Sequence, residues 1–285
     1  MAVINEYHVD DKLVRYWLKN SLEIMDKRNS DRVYIVDGRE RIGKSLFTFQ
    51  QMCAIEPELL ESPEKLVSRI CFTPDEFNKV ARETKNGAFA FDEAFRGLSS
   101  RGAMSKINKK IVQTLMEMGQ NNNIAFIVLP SVFLLDIYPA MLRSDGLFHI
   151  HESKKSKQRC FTGYNRQDKN RLYQIGLKKG WTYPFGSPFK GHFSKKFPGG
   201  EEFEKAYLKK KADALRNIDD AAFEDKLVTI AKRMRDVEGK SWIEIGKSLG
   251  MSAEAIRKRV ARTTIQPYNT LNEKDDSSEQ VVREH

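Results

Sequence analysis

The sequence predicts an α/β fold in which a mostly parallel sheet is covered by helices on both faces. The first observation is a series of apolar runs, at residues 33–37, 88–91 and 124–129, that alternate along the chain with helical patterns. Runs with so few polar residues are typical of parallel strands that are buried on both faces. The second observation is a glycine loop between the first run and a helix. The third is a separate helical pattern near the C-terminus, at residues 219–265.

The glycine loop at residues 38–45 reads Gly-Arg-Glu-Arg-Ile-Gly-Lys-Ser and matches the phosphate-binding pattern G-x-x-x-x-G-K-[ST]. A strand before the loop and a helix after it let backbone N–H groups and the helix dipole point at phosphates. We predict that Lys44 reaches the β- and γ-phosphates and that the Ser45 hydroxyl binds Mg²⁺. The predicted cofactors are therefore ATP and Mg²⁺. The predicted nucleotide-binding residues are Gly38, Arg39, Glu40, Arg41, Ile42, Gly43, Lys44, Ser45 and Leu46.

Two acids, Asp92 and Glu93, follow the apolar run at residues 88–91. Asp92 is predicted to hold Mg²⁺ together with Ser45, and Glu93 to orient and deprotonate the attacking water. An ordinary strand followed by an acidic helix cap would give the same short pattern. Because the pair follows a phosphate-binding loop, we predict a hydrolytic site in which Lys44 and Glu93 are catalytic.

The composition indicates a basic protein without a membrane span. The chain has 285 residues, 40% of them hydrophobic, with a formal net charge of +10 and a pI of about 9.3. No apolar run reaches the roughly 18 residues that cross a bilayer, so no membrane partner is expected. The excess of bases favours a polyanionic partner such as nucleic acid. The widely spaced Cys53, Cys71 and Cys160 fit neither a disulfide framework nor a zinc site. Reduced, buried cysteines predict a cytoplasmic protein, in the host cytoplasm if the source is viral.

Shifts in composition predict five segments. Residues 152–200 are basic and aromatic, with strand-like runs at residues 159–164 and 171–177, and we interpret them as a hairpin or small β-extension. The segments are a P-loop NTPase core at 1–151, a basic β-extension at 152–200, a charged helical linker at 201–218, a helical domain at 219–265 and a disordered tail at 266–285.

The order of the loop, the Asp-Glu pair, a long helix and a strand ending in Pro130-Ser131 resembles P-loop ATPases with an extra strand and a catalytic glutamate. Within that branch, residues 91–151 are most similar to the HerA–FtsK-type DNA motors and their viral and plasmid relatives. The resemblance covers residues 30–151. It implies that Ser131 senses the γ-phosphate as part of the catalytic machinery, although a simple strand-terminating turn would leave the same residue there.

The resemblance also implies a homo-oligomer, such as a ring, in which an arginine acts on the neighbouring subunit's phosphates. Such an arginine finger is worth about 10³–10⁵ in rate. Arg143 is the first candidate for this catalytic role, with Arg101 and Arg96 behind it. The alternative for each is a surface arginine in a salt bridge.

Residues 241–260 resemble a helix-turn-helix. Gly250 supplies the positive φ of the turn and Ser252 caps the second helix. The helix at residues 223–237 completes a three-helix bundle, for which the predicted buried residues are Leu227, Ile230, Ala231 and Met234. The predicted partner is double-stranded DNA in its major groove, and the alternative is a protein-docking bundle with a solvated basic face. The predicted DNA-binding residues are Ser252, Glu254, Arg257, Lys258, Arg259 and Arg262.

Three functions fit these features to different degrees. The first is a DNA-dependent ATPase motor for translocation, packaging or transfer. The alternative is a nucleotide-switched DNA-binding factor for replication, transposition or regulation, in which slow hydrolysis resets an assembly. A P-loop kinase ranks last, because the sequence shows no acceptor site and a kinase leaves the C-terminal helices unexplained.

Overall fold

A seven-stranded mixed sheet forms the centre of the larger part of this computed structural model, which describes residues 2–4, 7–28, 30–92, 101–153 and 156–264. The strand order is β4-β5-β6-β3-β7-β8-β9, and β1 and β2 form a separate antiparallel pair. The five strands from β4 to β7 in that order are mutually parallel, whereas β8 and β9 join the edge in antiparallel pairings. The prediction of a mostly parallel sheet is therefore confirmed. The strands are β1 (Ala2–Ile4), β2 (Tyr7–Val9), β3 (Arg32–Gly38), β4 (Ile70–Cys71), β5 (Ala88–Phe91), β6 (Ile124–Leu129), β7 (Gly146–Glu152), β8 (Arg159–Asn165) and β9 (Lys190–His192).

Helices cover both faces of the sheet. Side chains alternate along β3, so that Val33 and Ile35 enter one apolar cluster with α4 and α5, while Tyr34 and Val36 enter a second cluster with α2. Both clusters are fully buried, which explains why β3 reads as a continuous apolar run. The helices are α1 (Lys19–Arg28), α2 (Lys44–Ile55), α3 (Pro63–Ser68), α4 (Pro74–Glu83), α5 (Arg101–Glu117), α6 (Arg166–Lys178), α7 (Glu201–Asp236), α8 (Trp242–Leu249) and α9 (Ala253–Thr264).

The strand expected at residues 171–177 is wrong, because these residues lie within α6. Asn165 caps this helix by accepting a hydrogen bond from the N–H of Asp168 at 2.9 Å. Leu172, Tyr173 and Gly176 are buried, which is helical spacing rather than strand alternation. Strand β8, at the expected place, pairs with β7 and so extends the main sheet.

The described residues divide into two compact units between Leu215 and Arg216, within the long helix α7. In the second unit, the C-terminal part of α7 packs with α8 and α9 around a small core of Ala231, Met234, Ile245 and Ile256. Leu227 is also buried, whereas Ile230 is 48% exposed, so its expected burial is wrong. The helical repeat places Ile230 at the margin of the side of α7 that carries Leu227, Ala231 and Met234, where it stays exposed.

The short turn between α8 and α9 takes the expected form. Gly250 has a φ of 67°, the left-handed conformation that glycine adopts without strain. Gly246 lies where the two helices cross, because a Cβ built on it would stand 2.7 Å from the carbonyl oxygen of Met251. Ser241 and Glu244 form a capping box at the start of α8.

Two features bear on the composition-based expectations. The three cysteines are free and buried, as predicted. Among the described residues, no helix combines the length and the apolar character that crossing a bilayer requires.

The free energy of unfolding is expected to rise with pH between about 7 and 10.5 through Lys169, a fully buried lysine on α6. Its ammonium donates to the carbonyl oxygens of Ala140 and Met141, and burial lowers its pKa from 10.5 to about 7. Within that window the unfolded chain carries a proton that the folded chain lacks, so each rise in pH favours the folded state. Below pH 7 both states are protonated and the contribution becomes constant.

The check is urea unfolding of wild type and Lys169→Met at several pH values across this window. In Lys169→Met the free energy of unfolding should rise less with pH than in wild type. The control is Lys178→Met, at an exposed position of the same helix, in which the rise should equal that of wild type. Parallel pH profiles for wild type and Lys169→Met would contradict the assignment.

Candidate functional site

Four parallel strands end at one edge of the sheet and bring the predicted motif residues together there. Strands β3, β5, β6 and β7 run in the same direction, so the residues that follow them share that edge. The N–H of Gly38 donates to the carbonyl oxygen of Pro130 at 3.3 Å, which joins the glycine loop to the end of β6. Ligands of parallel α/β sheets bind at this carboxyl edge, near the strand where the order of connections reverses. Here that strand is β3, because the chain passes to β4, β5 and β6 on one side and then to β7 on the other.

The glycine loop turns sharply between β3 and α2. Gly38 and Gly43 have φ values of 142° and 100°, and Arg41 also lies in the left-handed region at 59°. Helix α2 begins at Lys44, and the N–H of Phe47 closes its first turn on the carbonyl oxygen of Gly43 at 2.9 Å. The Lys44 ammonium crosses the loop and donates to the carbonyl oxygens of Gly38 at 2.9 Å and Arg39 at 2.8 Å. A lysine and a helix N-terminus therefore face the same loop.

Ser45 and Asp92 meet across the edge of the sheet. The Ser45 hydroxyl donates to Oδ1 of Asp92 at 2.9 Å, although the two residues belong to motifs far apart in the sequence. The Asp92 carboxylate is fully buried, and its Oδ2 accepts a hydrogen bond at 2.7 Å from the hydroxyl of Tyr207 on α7. A hydroxyl and a carboxylate at this separation can share one divalent cation of the Mg²⁺ type, since both are hard oxygen ligands.

Replacing Tyr207 with phenylalanine is expected to lower the free energy of unfolding by about 1.5–3 kcal/mol, the scale of a hydrogen bond to a charged group. The Tyr207 hydroxyl serves a fully buried carboxylate, whereas its ring packs edge-on against Phe49 and would be kept by the substitution. Urea unfolding measures the change. The control is Tyr164→Phe, which removes a bond to the neutral carbonyl oxygen of Phe185 at 2.9 Å and should cost less. Equal losses in the two variants would contradict a charged acceptor at Asp92.

A second buried carboxylate, Asp37, ends β3 directly before the loop. It accepts the N–H of Val132 at 2.9 Å, lies 2.9 Å from Nδ1 of His149 and accepts a short hydrogen bond from the Tyr183 hydroxyl. Burial and the Asp37 carboxylate both raise the pKa of Tyr183. Tyr183 and His149 also stack, with ring centroids 4.0 Å apart. This cluster fixes the base of the glycine loop.

Ser131 stands beside this cluster at the end of β6. Its hydroxyl accepts from the N–H of Phe133 at 3.4 Å, which caps a short 3-10 turn, and the residue before it, Pro130, accepts the N–H of Gly38. The structure thus provides the strand-terminating turn and also places Ser131 next to the glycine loop. Its sensing role stays a prediction.

Arg143 lies in a helical turn that precedes β7, at the opposite end of the sheet from the glycine loop. Its guanidinium donates to the carbonyl oxygen of Leu115 at 3.0 Å and forms a close ion pair with Asp31. Only 17% of its side chain is exposed. These contacts favour the salt-bridge alternative for Arg143, because acting on another subunit would require both to break.

Several predicted residues cannot be located in this way. Glu93 and Arg96 lie outside the described residues, as does the tail at residues 266–285. Arg101 begins α5 and Arg262 lies in α9, but their side chains are not described.

The predicted DNA-binding residues lie on or next to α9. Ser252 accepts from the N–H of Ala255 at 3.2 Å and so caps the helix. Arg257 and Lys258 are exposed, and Lys258 pairs with Glu254 at 2.6 Å along the surface. Arg259 differs, because its guanidinium pairs with Glu224 of α7 at 2.9 Å, and 33% of its side chain is exposed.

Sequence reasoning missed three site residues: His149, Tyr183 and Tyr207. A histidine inside an apolar strand was a visible signal for His149. Tyr207 and Tyr183 had none, because their partners Asp92 and Asp37 lie more than a hundred positions away in the sequence.

Comparison with known proteins gives a limited result. No family model matches the chain, and no curated protein matches it. Among solved structures, the N-terminal domain of zonular occludens toxin from Neisseria meningitidis is similar at 18% identity and a TM-score of 0.31. That match covers 48% of this chain and 84% of the toxin domain.

Proposed function

We propose that this chain binds and hydrolyses Mg-ATP and uses the cycle to move double-stranded DNA. The observation that carries the ATPase part is the hydrogen bond of 2.9 Å between Ser45 and Asp92. It joins the last residue of a complete phosphate-binding loop to the first acid of the Asp-Glu pair. Strand β6 lies between β3 and β5, so the two motif strands are separated by one additional strand, as in the ATPases that the sequence resembles.

The residues at the loop fit a magnesium nucleotide. Gly38 and Gly43 adopt positive φ values, which let the loop turn into the start of α2. The N–H groups of a first helical turn attract phosphate oxygens. Lys44 lies over the loop, where its charge would meet the terminal phosphates. Ser45 and Asp92 would hold Mg²⁺, which neutralises charge on the phosphate chain when bound. Glu93, the next residue after Asp92, is the proposed base for the attacking water.

The DNA part of the proposal rests on charge and on the second unit. The chain carries a net charge of +10, and α9 presents Arg257 and Lys258 to solvent after a tight glycine turn. A helix that follows such a turn and exposes bases is suited to the major groove. We include assembly into a homo-oligomer in this proposal, since translocation along DNA requires successive engagements.

One observation favours the alternative of a slow nucleotide switch. Tyr207, which donates to Asp92, belongs to α7, and the same helix continues past residue 215 into the second unit. A change at the Asp92 carboxylate would therefore act on α7 through the Tyr207 hydroxyl. A switch needs such a connection but does not need fast turnover.

The steady-state ATPase rate, measured without DNA, with short duplex and with long duplex, separates the two functions. For a motor, the rate should rise with DNA length. For a switch, a slow rate should not depend on length. Glu93→Gln should bind ATP and fail to hydrolyse it in both cases. Hydrolysis at the wild-type rate in that variant would remove Glu93 from the mechanism, and absence of any ATP binding by the wild type would overturn the proposal.

Replacing Arg257 and Lys258 together with glutamine should weaken DNA binding and reduce its salt slope by about 2, one unit for each lost phosphate contact. Both side chains are exposed, and the pairing of Lys258 with Glu254 is a surface pair of small energy. Binding titrations at several salt concentrations measure the slope.

The matched control is Arg259→Gln. Because the Arg259 guanidinium pairs with Glu224 of α7, its replacement should leave the salt slope unchanged. An unchanged slope in the Arg257 and Lys258 variant would favour protein docking over DNA binding.

A further inference from the structure

A basic residue from outside both sequence motifs reaches the glycine loop. Arg159 is the first residue of β8, which runs antiparallel to β7, so Arg159 stands opposite Glu152 where β7 ends. That is the same edge of the sheet at which β3 ends and the loop begins, because β7 is parallel to β3. The antiparallel pairing of β8 with β7 therefore places Arg159 near the loop.

The Arg159 side chain lies directly against Gly43. A Cβ built on Gly43 would stand 3.0 Å from Nη1, 3.1 Å from Cδ and 3.2 Å from Cζ of Arg159. Gly43 is the residue before α2, and its neighbours in the chain are the loop and Lys44. The guanidinium thus covers the face of the loop where the helix begins.

Positive charge gathers at the start of α2. The start of α2 carries a partial positive charge, and both Lys44 and Arg159 bring full positive charges to it. In the part of the chain that the structure describes, no carboxylate is found paired with the Arg159 guanidinium, which lies against Gly43. The planar guanidinium can donate two parallel N–H hydrogen bonds to a pair of anionic oxygens, and a phosphate group offers such a pair.

We propose that Arg159 is a phosphate-binding residue. It acts within its own chain and donates hydrogen bonds to the phosphate groups of the nucleotide held by the loop at residues 38–45. This inference rests on the proposed ATPase function. It assigns to Arg159 a bidentate contact from the side of the sheet, opposite to the backbone N–H groups of the loop. It also gives Gly43 a second role, since any side chain there would occupy the space of the Arg159 stem.

The test compares Arg159→Gln, Arg159→Lys and the control Arg82→Gln in the full chain. Arg82 is a surface arginine that pairs with Glu117 between α4 and α5. The probes are ATP, AMP and inorganic tripolyphosphate, each competing with a fluorescent ATP analogue. Arg159→Gln should weaken binding of ATP and tripolyphosphate about 10- to 100-fold, the scale of one charge-assisted contact, and AMP much less. Arg159→Lys should fall between wild type and Arg159→Gln, because a lysine keeps the charge without the fork.

Wild-type affinity for tripolyphosphate in Arg159→Gln, with binding lost in Lys44→Ala, would overturn this inference and leave the ATPase proposal standing. Failure of the wild type to bind either ATP or tripolyphosphate would overturn both. Thermal unfolding of each variant shows whether it is folded. If Arg159→Gln does not fold, Arg159→Lys decides the question, and wild-type affinity in that variant would overturn the bidentate contact.

Discussion

Replacing Lys44 with alanine is expected to reduce ATP hydrolysis by at least about 100-fold, the effect of removing one preorganised charge or donor from a reacting phosphate. Lys44 is the first residue of α2, and its ammonium lies between the carbonyl oxygens of Gly38 and Arg39. No other lysine occurs within the loop pattern. Steady-state phosphate release, with saturating MgATP, measures the loss.

The fold should tolerate this change. The carbonyl oxygen of the exposed Arg39 can bond to water instead, and Gly38 is buried and loses one hydrogen bond of its carbonyl oxygen. Lys110→Ala is the control, because Lys110 forms an exposed pair with Asp75, and such pairs contribute little. Activity within a few-fold of wild type in Lys44→Ala, with unchanged thermal unfolding, would show that the loop does not hold the reacting phosphates.

Replacing Gly38 with alanine is expected to lower the free energy of unfolding by about 3 kcal/mol or more. The φ of Gly38 is 142°, a region that residues with a Cβ rarely adopt, and strain of this kind costs about 1–3 kcal/mol. A Cβ at this position would also overlap the backbone carbonyl oxygen of Ile150 on β7. Because β3 and β7 are central strands, neither backbone can move without disturbing the sheet.

The matched control is Gly186→Ala, since a Cβ built there meets no heavy atom within 4 Å and its φ is not positive. Urea unfolding of both variants should show a large shift in midpoint for Gly38→Ala and almost none for Gly186→Ala. Similar midpoints would mean that the end of β3 is more adaptable than its register with β7 indicates.

The parts of the fold that depend on local patterns could be predicted from the sequence. The strands β3, β5 and β6 are buried on both faces, so each reads as an apolar run without a competing period. The turn at Gly250 was also predictable, because a left-handed φ needs glycine.

The α6 helix was mistaken for a strand because its local pattern is ambiguous. The run at residues 171–177 mixes aromatic and branched residues with polar ones, which also fits alternation. Its N-cap, Asn165, is also the last residue of the preceding strand, so no turn or loop sequence separates the strand from the helix. Tertiary packing of Leu172 and Tyr173 decided the outcome.

Of the site, only the two short sequence motifs could be predicted. Ser45 and Asp92 follow from short patterns, and the parallel sheet brings their ends to one edge. The contacts of Tyr207 with Asp92 and of Arg159 with Gly43 join segments of unrelated sequence. Only the register of β8 and the course of α7 create them, and neither is encoded in a local pattern.

The two outermost strands of the seven-stranded sheet are also its shortest, with two residues in β4 and three in β9. A long unpaired edge strand can pair with a strand of another chain, whereas a short edge strand offers few unpaired N–H and C=O groups. Copies of this protein that associate are thus expected to meet through side-chain surfaces, and a continuous intermolecular sheet is disfavoured. Because both edge strands are short, the folded chain is also expected to resist fibrillar aggregation.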